Sequence, residues 1–166
     1  VMASNVTIKG FEITNTPDNG TSGWGIYLEG SNCTIEDNYI HYATRGGILF
    51  ATSSISGCTI RNNRLYRNAH VGIEVDGQNQ LIENNEIWGT IQYHPGWANP
   101  PSWVDADGIK FFGSGHIFRG NYIHDILYTD PENVNPHIDC FQTWADSSTG
   151  AVNNIVFEQN TCDNMQ

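Results

Sequence analysis

Two short segments carry residue types that could do chemistry together: Asp105-Ala-Asp107-Gly-Ile-Lys110 and His137-Ile-Asp139-Cys-Phe-Gln142. The natural alignment sets Asp107 against Asp139, Ile109 against Phe141 and Lys110 against Gln142, which puts Asp105 beside His137. If the segments are adjacent parallel strands, about 4.8 Å apart, the two aspartates are close neighbours. Two reactions suit such a set. In β-elimination from a uronate, Asp105, Asp107 and Asp139 hold Ca²⁺, the metal neutralises the substrate carboxylate, and Lys110 removes the proton α to it. Neighbouring carboxylates work against Lys110 as a base, and bound calcium would offset them. In glycoside hydrolysis the aspartates divide the acid and base or nucleophile roles, with a separation of about 5 Å for retention or roughly 6.5–9.5 Å for inversion. His137 could tune either carboxylate. Catalysis is therefore expected of Asp107, Lys110, His137 and Asp139.

Substrate contact is expected nearby. Glu74 and Asp76 belong to the same outward surface, and Gln142 continues it. Trp88, Tyr93, Trp97 and Trp103 lie within or beside one inserted loop, and Trp144 follows a second. Sugar rings stack on such side chains, so Trp97, Trp103 and Trp144 are expected to touch substrate while Trp88 packs. Each residue alone has a plainer explanation. Asp before Gly at a strand entry is turn chemistry, His-x-Asp caps loops, and Lys110 could pair with Glu74 at the surface. The remaining histidines show no metal-ligand spacing, and His41 and His124 occupy equivalent structural places in a repeat.

That repeat is what must position the site. Six segments align: VTIKGFEI (6–13), CTIEDNYI (33–40), CTIRNNRL (58–65), QLIENNEI (80–87), HIFRGNYI (116–123) and IVFEQNTC (155–162). Ile8, Ile35, Ile60, Ile82, Phe118 and Phe157 form an apolar anchor column. Three residues on comes Phe11, then Asn38, Asn63, Asn85, Asn121 and Asn160; two further on come Ile13, Ile40, Leu65, Ile87, Ile123 and Cys162. An Asn column fits a tight turn, where Asn tolerates left-handed geometry, and stacked amides can hydrogen-bond along the axis. A second strand precedes the later anchors: GIYLEG (25–30), GILFAT (47–52), GIEVDG (72–77), GIKFFG (108–113) and the looser IDCFQT (138–143). Its alternation turns Ile26, Leu28, Ile48, Phe50, Ile73, Val75, Ile109 and Phe111 inward.

These columns predict an all-β, right-handed parallel β-helix of about five to six coils, with an Asn ladder and two long insertions. The anchors at 8, 35, 60, 82, 118 and 157 are 27, 25, 22, 36 and 39 residues apart. The last two intervals hold the insertions, 88–107 and 124–139, expected to wall a groove on one side. The repeat resembles the pectate-lyase-like superfamily of right-handed β-helices, which has an Asn ladder of this kind. That resemblance covers nearly the whole chain and implies a scaffold used by polysaccharide lyases, glycoside hydrolases, epimerases, tailspikes and adhesins. The Asn-Thr-Asp, Gly-His-Gly and Arg-Ile-Lys elements of polygalacturonases and the Arg-x-Pro-x-x-Arg of pectate lyases are absent. The scaffold alone therefore does not name a reaction.

Composition bounds the partners. Seven basic against 18 acidic residues give a net charge of −11, which disfavours nucleic acid. No apolar run approaches the length of a membrane span. Cys33 and Cys58 fall at equivalent places in consecutive repeats and stack either as two thiols or as a disulfide; the four cysteines follow no zinc or redox spacing. The 166 residues read as one β-helix domain whose pattern runs to both ends, predicting a longer solenoid or end-to-end stacking with other copies. The combined expectation is a secreted or cell-surface enzyme that cleaves a polysaccharide, with Ca²⁺ as its candidate cofactor. The rival is a non-catalytic glycan-binding, adhesin or filament-forming β-helix protein.

Overall fold

The computed structural model describes residues 1–18, 22–102, 104–145 and 150–166. The chain winds through three sheets in which every pairing is parallel. The first sheet stacks Thr7–Lys9, Thr34–Glu36, Thr59–Arg61, Leu81–Glu83, Ile117–Arg119 and Val156–Glu158. The second stacks Glu12–Thr14, Tyr39–His41, Arg64–Tyr66, Glu86–Trp88, Tyr122–Ile126 and Thr161–Met165. The third contains Trp24–Leu28, Gly46–Phe50, Val71–Val75, Asp107–Phe111 and Phe141–Gln142. This is the expected solenoid, and its register is the one the repeat predicts. Ile8, Ile35, Ile60, Ile82, Phe118 and Phe157 are successive partners in the first sheet. In the third, Ile109 pairs with Phe141 and Lys110 with Gln142.

The core follows from this stacking. Ile35, Ile60, Ile82 and Phe118 meet Ile40, Leu65, Ile87 and Ile123 from the second sheet and Ile48, Ile73 and Ile109 from the third, all fully buried. The third-sheet strands need glycine to pass so close to the second sheet. A Cβ on Gly72 or Gly108 would lie 2.5 Å from the γ-methyl of Ile87 or Ile123. The third-sheet side chain just before this glycine column, Asp107 in the fourth strand, turns away from the core cluster.

Asn38, Asn63, Asn85 and Asn121, all buried, form a continuous ladder that ends on half-buried Asn160. The Nδ2 of each of the first four donates to the Oδ1 of the next coil's asparagine at 2.9–3.1 Å. Each also donates to a first-sheet carbonyl, as Asn85 does to Ile60 at 2.9 Å. Left-handed geometry belongs to the residue before the ladder position: Gly10, Asp37, Asn62, Asn84, Gly120 and Gln159 all have positive φ, whereas the ladder asparagines do not. The reason for the column is thus the amide's paired donors and acceptors, not its tolerance of the αL region.

Cys33 and Cys58 are buried free thiols, with the Cys33 N–H 3.4 Å from the Cys58 sulfur. They begin a second ladder that continues as Cys58 N–H to Gln80 Oε1 at 2.8 Å and Gln80 N–H to His116 Nδ1 at 3.2 Å. The disulfide in the structure joins Cys140 to Cys162 instead, a pairing the sequence reading missed. Among the described residues, no helix is long and apolar enough to cross a membrane.

Candidate functional site

The first insertion folds back onto the solenoid through a small second core. Trp97 and Val104 pack on Ala69 and Ile91, with Tyr93 against them. The Gln92 amide donates to the Val104 carbonyl at 2.7 Å. The second insertion buttresses the first. Asn133 Oδ1 accepts the Gln92 N–H at 2.6 Å, Val134 N–H donates to Gln92 Oε1 at 2.8 Å, and Arg67 clamps Asp130 and Glu132 at 2.6 Å each. The two insertions were expected to wall the groove together. Only the first does so among the described residues, because the second is held behind it.

The groove, about 870 Å³, lies over the outer face of the third sheet. It is lined from the first strand, at Trp24, through the second, third and fourth, and ends beside Trp144 just past the fifth. Four strand steps of about 4.8 Å make that path about 19 Å long. Its floor carries Glu74, Asp76 and Lys110, with His70 at the strand entry; Trp97 and Phe112 close its sides.

Lys110 is not a surface partner of Glu74; only 3% of its side chain is exposed. Its ammonium stands 3.2 Å from Asp107 Oδ2, 3.4 Å from His70 Nε2 and 3.7 Å from Asp105 Oδ2. Burial, followed by the Lys110 charge, holds the His70 imidazole down to about 3. The ring is therefore neutral at pH 7, and the geometry has Nε2 accepting from Lys110. Ion pairs with Asp107 and Asp105 and the hydrogen bond to His70 hold the Lys110 side chain in place.

Asp107 has no exposed surface. Burial pushes its carboxyl up to about 6, against the pull of Lys110 and of the Asp139 N–H, which donates to Asp107 Oδ1 at 2.8 Å. The carboxylate does not line the groove, so its position suits holding Lys110 and not touching substrate. Beside it, Asp139 Oδ2 is 3.1 Å from His137 Nδ1, and Gln142 Nε2 reaches both at 3.1–3.2 Å. The His137 N–H donates to Asp105 Oδ1 at 3.2 Å. Register thus brings Asp105, Asp107, Lys110, His137, Asp139 and Gln142 into one cluster. Of that cluster, Lys110 lines the groove and the other five do not.

Asp107, His137 and Asp139 bring ligand atoms within 4.8 Å of one another. Calcium asks for six to eight oxygens. This trio offers an imidazole nitrogen and two carboxylates, one of them already paired with an ammonium, and Lys110 also stands beside Asp105. The donor set does not fit calcium.

Glu74 lines the groove with about a quarter of its side chain exposed and His70 Nε2 3.9 Å from its Oε2. Trp97 lines the groove but is 8% exposed, its ring under the Arg45 guanidinium at 5.5 Å, and it pins the loop to Ala69 and Ile91. Trp144 is 44% exposed, edge-on to Phe112 at 4.6 Å and 5.9 Å from the Lys110 ammonium. Trp103 lies outside the described residues. Trp88 packs, as expected, in a stack with Tyr66 and His124 on the second sheet. The sequence reading passed over three groove residues, Trp24, Arg45 and His70. All three stand at the entry edge of third-sheet strands, the same edge that carries Asp105 and Asp107, and that shared place was the available signal.

No curated protein and no solved structure matches the chain. Residues 1–87, more than half of it, match the family described as right handed beta helix region. Together with the three parallel sheets and the registered ladder, that match places the chain in the right-handed β-helix family.

Proposed function

We propose that this chain is carbohydrate-active and cleaves a polysaccharide in the groove over its third sheet. The observation that carries the reading is the groove's form. It runs about 19 Å along the solenoid axis, has tryptophan at both ends, and has charged side chains on its floor. A channel of that length suits a linear polymer better than a small metabolite. Indole edges and faces suit the CH-rich surfaces of sugars, and the polar floor supplies orientation and proton transfer. Lys110 acts as a fixed positive charge, held by Asp107, Asp105 and His70, against which an electron-rich oxygen of the substrate can rest. No step requires calcium.

A secreted or cell-surface setting belongs to the same proposal. The Cys140–Cys162 disulfide supports an oxidising compartment, where an extracellular polymer would be met.

The test is incubation of the purified chain with xylan, mixed-linkage glucan, polygalacturonate and alginate, assaying new reducing ends and unsaturated uronates. Cleavage of at least one polymer, weakened in Trp144→Ala, is the expected result. Binding without any product would refute cleavage and leave a glycan-binding β-helix.

A further inference from the structure

We infer that the reaction in this groove is hydrolysis, with Glu74 as general acid and Asp76 as the base that activates water. The inference rests on the polysaccharide-cleaving reading and assigns its chemistry. Among the described residues lining the groove, Glu74 and Asp76 are the carboxyl groups. They flank inward-facing Val75 at the end of Val71–Val75, so both point outward from one strand. Two residues of extended chain set their Cα atoms about 6.6 Å apart, and both side chains open onto the same groove, so the two carboxyl groups can flank one bound sugar. Inversion requires the carboxyl groups themselves to stand roughly 6.5–9.5 Å apart, to leave room for water on the far face of the sugar.

The surroundings divide the roles. Glu74 is the more enclosed. His70 stands at the entry to its strand, Lys110 is its register partner from the fourth strand and Leu49 from the second, and Asp76 stands beyond Val75. Burial raises the Glu74 carboxyl above its ordinary range, Lys110 opposing and Asp76 adding to it. Asp76 lies nearer the strand end and accepts the Gly77 N–H at 2.6 Å. Lys110 is turned to Asp107, Asp105 and His70, with 3% of its side chain exposed.

The step balances without a further reagent. Glu74 gives its proton to the glycosidic oxygen as the bond from that oxygen to the anomeric carbon breaks. Water attacks the same carbon from the opposite face, and Asp76 takes the water's proton. The products are two hydroxyl-terminated fragments, with inverted configuration at the new reducing end. Proton exchange with solvent then restores both carboxyl groups.

The experiment compares wild type, Glu74→Gln and Asp76→Asn on the polymers named above, with circular dichroism and thermal unfolding to verify folding. A nitrophenyl glycoside of the sugar found at the cleavage site is assayed alongside. Reducing ends without unsaturated products are expected, with each variant slowed at least about 10²-fold on polymer. On the nitrophenyl glycoside, whose leaving group needs no proton, Glu74→Gln should recover and Asp76→Asn should not. Unsaturated products, near wild-type rates in folded variants, or no differential recovery would overturn the assignment while leaving polysaccharide cleavage standing. Absence of product from every polymer would instead overturn the cleavage reading, and the assignment with it.

Discussion

Asp107 and His70 bracket Lys110 with opposite proton preferences, and their contributions to stability should cancel until one is removed. The folded Asp107 pKa of about 6 lies above its ordinary 3.8, so between those values the folded state holds more protons than the unfolded one. Stability from this group therefore falls as pH rises, by about 1.4 kcal/mol per unit and about 3 kcal/mol in all. His70 runs the other way. Its folded pKa of about 3 lies below 6.5, so the unfolded state holds the extra proton and stability rises with pH between those limits, by about 5 kcal/mol in all. Between roughly pH 4 and 6 the two slopes offset one another in the wild type. Asp107→Asn removes the falling slope, and its unfolding free energy should climb by about 1–1.4 kcal/mol per pH unit relative to wild type. His70→Asn removes the rising slope and should fall by a similar amount; Asn also tolerates the φ of 64° at that position. Glu74 adds a falling contribution, which cancels in each difference from wild type. Urea unfolding at half-unit intervals from pH 4 to 7 measures all three curves. Variant curves parallel to wild type would refute the opposed titrations.

Three further outcomes follow from the scaffold. Asn85→Ala removes two donors and an acceptor, orphaning the buried Ile60 carbonyl and Asn63 N–H, and should cost about 2–5 kcal/mol in urea unfolding; an unchanged midpoint would deny the ladder its role. The Cys140–Cys162 bridge closes a separation of 22 residues, so replacing both cysteines by serine should cost about 3 kcal/mol, measured by thermal unfolding with and without reductant; reductant should then leave the double variant unaffected. Gly72→Ala forces a methyl against the Ile87 side chain and the Gly108 carbonyl, and should destabilise by about 1–3 kcal/mol in chemical unfolding, where a neutral result would show that the sheets can part.

The part of this protein legible in its sequence is the part that repeats. An inward residue on one coil sits over its equivalent on the next, so the columns headed by Ile8 and Ile13 and the asparagine column report three-dimensional contact through one-dimensional spacing. The same logic aligned Ile109 with Phe141 and Lys110 with Gln142, which drew Asp105, Asp107, His137 and Asp139 together.

What the tertiary structure alone decided lies between columns or outside the repeat. Cys140 stands in the glycine column of the third sheet and Cys162 in the isoleucine column of the second; they meet because those columns face one another across a closed coil. Asp107 reads as an outward turn residue and is fully buried, because the coil-to-coil packing around it and the docked first insertion close that edge from water. His70 carries no local signature; it reaches Lys110 because the strand entry folds it there. The insertions have no period, so their docking partners Ala69, Ile91, Asn133 and Arg67 could be found only once the chain was wound. Period-locked contacts are encoded by spacing, whereas loop docking and the facing of unlike sheets depend on distances that spacing does not carry.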